Sequence, residues 1–212
     1  MTDAVGAFDD LYVRHAAPLT RQAFLLCGHR RLAERSVRHA FGLAWQRWPE
    51  VAGDRDPAGW VRAAVHEYAL SPWHGLVPGR RGGDPRAVPP EDRVLLEALL
   101  SLPRCYRRSL VLHDGVGLGL PETAAETESS TRAAASRVER ARAALAARLP
   151  RLAGEPLPEV LAEFAAGQPF HPPPAPVVRR WGRRTAHLWT LAAAALTVTA
   201  AAALTAAVLA HS

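Results

Sequence analysis

Apolar side chains along the first third of the chain return every three or four residues. Phe8, Leu11, Tyr12, His15, Leu19, Ala23, Phe24 and Leu26 form one stripe, and Ala33, Val37, Ala40, Phe41, Ala44, Trp45 and Trp48 a second. That spacing puts each set on one face of an α-helix. Asp56-Pro57 then offers a capping carboxylate and a first-turn proline to a third helix, whose apolar face is Trp60, Val61, Ala64, Val65 and Tyr68. These helices predict a small helical unit over residues 1–74. The tryptophans Trp45, Trp48, Trp60 and Trp73 read as parts of its core.

Gly75 to Pro90 (GLVPGRRGGDPRAVPP) is too rich in glycine and proline for a regular element and reads as a linker, 75–90. Helical spacing resumes with Leu95, Leu96, Leu99 and Leu102, then Tyr106, Leu110 and Val111. Asp114-Gly115 and Gly117 break the chain, Pro121-Glu122 open a short helix, and Ser129-Ser130 can cap a longer one running to about Leu149. The second unit is thus 91–152. Residues 153–187 hold one short helical candidate, 158–166, and the run His171-Pro-Pro-Pro-Ala-Pro176, whose stiffness suggests a basic, Pro-rich spacer. From Leu188 to Ala210 the chain is apolar and uncharged, about 23 residues or roughly 34 Å as a helix, enough to span a hydrocarbon layer of about 30 Å. Arg179, Arg180, Arg183 and Arg184 precede it and only His211-Ser212 follow, so the positive-inside rule predicts a membrane anchor at 188–210 with the body cytoplasmic and the C-terminus outside. No alternation of period two is long enough to predict a sheet, so the expected fold is all-α: two small helical domains, a linker and a C-terminal transmembrane helix.

Composition narrows the chemistry. All 26 basic side chains are arginine, and lysine, asparagine and isoleucine are absent, a bias that a GC-rich genome produces. Without lysine there is no phosphate-loop lysine and no Schiff-base catalyst. The acidic N-terminus, Met1 to Asp10, lacks the basic and apolar regions of a secretory signal. His66-Glu67 begins a zinc-protease pattern, but Leu70 stands where its second histidine belongs, so no metal and no cofactor is expected. Cys27 and Cys105 lie in apolar stretches and read as small core residues of a reducing compartment. Gly115-Val-Gly-Leu-Gly119 follows a helix rather than a strand and is a turn, not a phosphate cradle. No nucleophile elbow is present, so no catalytic residues and no enzyme are expected.

The net charge of +6 is a poor guide to nucleic acid. Residues 1–74 carry 9 arginines against 8 acids, 91–152 carry 10 against 8, and the largest local excess is the 4 arginines after residue 178. Position says more than charge. Two helices, a short helix, a turn and an arginine-bearing helix form the order of a helix-turn-helix, whose last helix enters the major groove with its leading residues on base edges. Ser129, Ser130, Thr131, Arg132 and Ser136 fall on that leading part, and Arg137, Arg140 and Arg142 follow where phosphates pass. Glu126, Glu128 and Glu139 intersperse them, so a solvated bundle face is the competing reading.

Several strings resemble the bacterial extracytoplasmic-function sigma factors. FDDLYVRHAAPLTRQAFLLCG, AERSVRHAFGLAWQRW and DPAGWVRAAVHEYALSPW resemble the family's region 2; LLEALLSLPRCYRRSLVLHDGVGLGLPETAAE and STRAAASRVERARAAL resemble its region 4. The resemblance implies binding of core RNA polymerase through region 2, promoter reading by both regions, and a place for an anti-sigma or other regulatory protein. Its polymerase-binding helix falls on Ala33 to Phe41, with Glu34, Arg35, Arg38 and His39 as the exposed positions. Arg35 and His39 stand where the family usually carries acids, which weakens a matched electrostatic contact. Glu67 brings a negative charge to the family's promoter-melting helix. In region 4, Thr127 takes an apolar core place, Glu128 the turn glycine and Ala135 a recognition-helix lysine, so the turn is expected to distort. The sequence therefore predicts a membrane-tethered sigma-like transcription regulator. The alternative is a degenerate sigma-derived membrane adaptor that binds a protein partner without reading promoters.

Overall fold

The computed structural model describes residues 2–73, 88–150 and 154–182. Among them every regular element is helical. Helix α1 (Thr2–Cys27) is the spine, 26 residues and so about 39 Å long. Helices α2 (Arg30–Gln46) and α4 (Pro57–Leu70) pack along it, with the short α3 (Trp48–Ala52) turning the chain between them. The expected apolar stripes meet here. Phe8 is fully buried, with ring centroids 6.0 Å from Phe41, 5.0 Å from Trp45 and 5.3 Å from Trp48. Asp56 caps α4 by accepting from the Gly59 amide at 2.9 Å, with Pro57 in the first turn, as the sequence predicts.

The second unit comprises α5 (Pro90–Ser101), α6 (Arg104–Leu110), a π-turn (Val111–Gly115), α7 (Leu120–Glu126) and α8 (Thr131–Arg148). Its core joins Leu96, Leu99, Leu110 and Val111 to Val138, Ala141 and Leu145 of α8. The two units are not held apart. One contiguous apolar core runs through both, and α1 packs on α5, α6 and the π-turn as well as on α2 and α4. Arg62 of α4 reaches Glu126 of α7, its Nε donating at 2.7 Å, and both side chains are largely buried. Arg108 adds a second link by donating to the Glu126 carbonyl at 2.9 Å. Most of the sequence-assigned linker, 75–87, lies outside the described residues.

The C-terminal third corrects the expected architecture. No helix among the described residues is long and apolar enough to cross a membrane. The fold of the described chain is therefore all-α without a spanning helix, and the apolar run 188–210 lies outside the described residues, as do Arg183 and Arg184. Residues 154–182, expected to act as a spacer, fold back onto the body. Helix α9 (Leu157–Ala166) buries Leu161 and stacks Phe164 on Phe24 at 6.2 Å, and Phe170 meets the same ring edge-on at 5.6 Å. Gln168 is buried and accepts from Arg30 at 2.8 Å. The proline run is pinned where the Tyr12 hydroxyl donates to the Pro173 carbonyl at 2.6 Å, and a further helix, α10 (175–182), ends on α2. Arg179, read as a membrane-flanking cation, instead pairs with Asp9 and lies 5.6 Å over the Trp45 ring, because a guanidinium beside a carboxylate and an aromatic face has both partners it needs; Arg180 is exposed.

Two smaller expectations also change. Trp73 is 73 % exposed rather than core, although Trp48 is buried and Trp45 and Trp60 half-buried. Cys105 is exposed, whereas burial pushes the Cys27 thiol up to about 12.

Candidate nucleic-acid interface

The turn between α7 and α8 decides how the candidate recognition helix is presented. Glu128 sits at its centre with φ +48°, the left-handed region where the sequence suggested a glycine. The turn is nevertheless regular. The Ser129 amide donates to the Ala124 carbonyl at 2.9 Å and the Glu128 amide to the Ala125 carbonyl at 3.2 Å, the paired bonds of a Schellman ending. Thr127 contributes by donating its hydroxyl to the Thr123 carbonyl at 2.8 Å, so a polar residue at this position satisfies itself locally. The expected distortion is absent because backbone pairing on both sides of Glu128 outweighs its φ strain of about 1–2 kcal/mol.

Ser130 then starts α8, its hydroxyl accepting from the Ala133 amide at 3.2 Å. The apolar face of α8 is Ala134, Val138, Ala141 and Leu145, all buried. At 100° per residue the opposite face carries Arg132, Ser136, Glu139 and Arg140. Arg132, Glu139 and Arg140 are exposed, as are Ser130 and Thr131 at the leading end, while Ser129 and Ser136 are half-buried. Arg137 lies on the flank and is half-buried. Arg140 donates to the Tyr106 hydroxyl at 3.1 Å, a contact that props its guanidinium outward from α6. Arg142 departs from the phosphate role expected for it. It is engaged by Asp114 of the π-turn, with Nε donating at 2.9 Å to a carboxylate that is almost wholly buried, and that bond holds the guanidinium above its ordinary value. The structure thus brings Ser129, Ser130, Thr131, Arg132, Ser136 and Arg140 together at the open side and leading end of α8, with Arg137 beside them.

Residues 92–145 match the family model for sigma-70, region 4. The match runs from α5 through most of α8, about a quarter of the chain, and likens this unit to the DNA-binding region 4 of sigma factors. It spans the helix-turn-helix just described. No curated protein matches the chain. The resemblance of residues 8–74 to region 2 rests on the sequence strings alone.

Supporting residues escaped the sequence. Arg107 is buried, and one terminal nitrogen donates to the carbonyls of Leu100 at 2.8 Å, Leu99 at 3.2 Å and Leu102 at 3.4 Å. It closes the end of α5 and fixes the angle at which α6 leaves; burial draws its guanidinium down to about 10. Its only signal is its place in Pro103-Arg104-Cys105-Tyr106-Arg107-Arg108, where nothing marks one arginine as internal.

On the first unit, the expected polymerase-binding positions of α2 do not share one environment. Glu34 is exposed and Arg35 half-buried. Arg38 and His39 lie against α10: the Arg38 guanidinium is 5.5 Å from the Trp181 ring and the His39 ring 6.4 Å from it, with the Tyr68 ring tilted against His39 at 4.4 Å. His66, on the helix compared with promoter-melting elements, is fully buried, and its Nε2 lies 3.1 Å from Gln22 Oε1. Burial first, then the nearby Arg108 and Arg62, push its imidazole down to about 3, so His66 is a neutral core residue. Glu67 beside it is exposed.

Proposed function

We propose that the chain is a sigma-like transcription regulator that reads promoter DNA with the leading end and open face of α8 and docks on core RNA polymerase through α2. The observation that carries the reading is the arrangement of Arg132, Ser136 and Arg140 on the face of α8 opposite its core stripe, inside the span matched to region 4. Ser129, Ser130 and Thr131 cluster at the helix N-terminus, where free amides and the helix dipole favour a phosphate. In this reading Arg132 meets a base edge or phosphate, Arg137 and Arg140 meet phosphates, and the hydroxyls of Ser130, Thr131 and Ser136 set register. On α2 the docking set is Glu34, Arg35, Arg38 and His39. An anti-sigma or other regulatory protein would act on the same two faces.

Glu128 and Glu139 beside the arginines favour one competitor, a protein partner held by the same helix. Salt separates the two. Each arginine–phosphate contact contributes about 0.9 to the slope of log K against log salt, so Arg132→Ala with Arg137→Ala in the full chain is expected to weaken binding to labelled promoter fragments and reduce that slope by about 1–2, the larger value if Arg132 meets a phosphate. An unchanged slope in fluorescence anisotropy refutes DNA reading by α8 and leaves the protein-partner alternative.

A further inference from the structure

Helix α10 lies on α2 at a distance that only glycine permits. A Cβ placed on Gly182 would stand 2.8 Å from the Gly42 carbonyl oxygen and 3.2 Å from Gly42 Cα, and one placed on Gly42 would stand 2.8 Å from the Trp181 ring. The two backbones meet because neither position carries a side chain. Around that contact, Gln46 Nε2 donates to the Gly182 carbonyl at 2.7 Å and the Trp181 ring faces Arg38 and His39. On the α1 side Arg179 pairs with Asp9, and Tyr12 holds Pro173. Val178, wholly buried, and Ala175 are the apolar anchors of the helix.

These attachments differ in proportion from those inside the bundle. Helices α1, α2 and α4 each give many side chains to the shared apolar core, whereas 171–182 gives it only Ala175 and Val178 and is otherwise held by an ion pair, cation–π contacts and two side-chain hydrogen bonds to its carbonyls. A segment attached in this way opens at lower free energy than the core beneath it. It also covers a defined surface. Arg38 and His39, half of the set assigned above to polymerase docking, are the residues under Trp181.

We infer that residues 171–182 form an autoinhibitory strap that occupies the α2 face and must leave before core RNA polymerase docks there. The inference rests on the proposed polymerase contact and adds a closed state to it. Polymerase then binds only the open fraction, and its apparent dissociation constant is raised in inverse proportion to that fraction. Removing the strap's hold without touching α2 therefore tightens binding with no new contact.

The test uses the full chain carrying Trp181→Ala and Gly182→Leu, both on the strap. Hydrogen exchange reads its position and biolayer interferometry its affinity for core RNA polymerase. The expected result is exchange at least tenfold faster over 175–182, retained protection in α2 and α4, and a Kd at least tenfold tighter. Equal affinity in the two chains, with the strap open, overturns the inference and leaves polymerase docking standing. Absence of binding by both chains overturns the polymerase reading and the strap's role with it. If 175–182 stays protected, Asp9→Asn, Tyr12→Phe and Trp181→Ala together cut the remaining tethers, and protection surviving that variant refutes the assignment of the contacts.

Discussion

Glu128 offers a direct test of how the helix-turn-helix holds its shape. Its φ of +48° costs an L-residue about 1–2 kcal/mol, and glycine removes that strain. Glycine also adds about 0.5–1 kcal/mol of chain entropy to the unfolded state, so the backbone gain from Glu128→Gly is about 0.5–1 kcal/mol. Against it stands the carboxylate, which is exposed near the α8 N-terminus and attracts the half-buried Arg108, a solvent-screened interaction of about 0.3 kcal/mol. Glu128→Gln removes the charge and keeps the strain, so the difference between the two variants isolates the backbone. In urea denaturation Glu128→Gly should be about 0.5–1 kcal/mol more stable than Glu128→Gln, or roughly 1–4 °C in Tm for a chain of this length. Both variants should bind DNA more tightly than the parent, because each lifts a negative charge from the end of α8 where a phosphate is proposed to sit. Equal stability of the two variants, or a glycine variant less stable than the glutamine one, would refute the strain argument.

Three further outcomes follow from ionisable groups that are buried or paired with a buried partner. Arg107→Met should lose about 2 kcal/mol in urea denaturation, since the carbonyls at the end of α5 lose a charged donor; a loss below about 0.5 kcal/mol would show that solvent replaces it. His66 is held neutral down to about 3 while an unfolded histidine protonates near 6.5, so stability is present above about pH 6.5 and declines by up to about 1.4 kcal/mol per unit as pH falls toward 3. Denaturation midpoints between pH 7 and 4.5 measure that slope, and His66→Leu should flatten it. Arg142→Ala should cost about 1–2 kcal/mol, less than a fully buried pair because the arginine side chain is 46 % exposed, and should leave the salt dependence of DNA binding unchanged; a lower slope would return Arg142 to the phosphate set.

What the sequence made legible was local. The stripes of α1, α2 and α4, the Asp56-Pro57 start and the Ser130 cap depend on residues three or four apart, and each stands in the structure. The outward row of α8 was legible for the same reason. Contacts across long separations were not. Arg62 and Glu126 are 64 positions apart, Arg142 and Asp114 are 28, and only the packing of helices brings them together. The proline run misled for a specific reason: proline has no amide to give, which suggests an unattached spacer, yet its carbonyls still accept, and Tyr12 uses that of Pro173, as Arg30 uses that of Pro169 just before the run. At Glu128 the residue type pointed to a broken turn because its own preference is local, while the bonds that hold it come from Ala124 and Ala125.

The arginines show why net charge and site must be separated in this chain. With no lysine available, every internal cationic contact falls to a guanidinium, and its planar fork suits that use better than an ammonium would. Arg107 binds three carbonyls, Arg108 binds a fourth, and Arg62, Arg142 and Arg179 are each paired with a carboxylate. A guanidinium committed in this way has surrendered its water and much of its field, and a phosphate must displace the existing partner to gain it. The charge that DNA meets is therefore set by exposure on α8, where Arg132 and Arg140 are exposed, Arg140 held only by the neutral Tyr106 hydroxyl, with Glu139 on the same face. On that account the excess of +6 predicts solubility and general attraction to polyanions, and the two or three arginines of one helix face predict affinity.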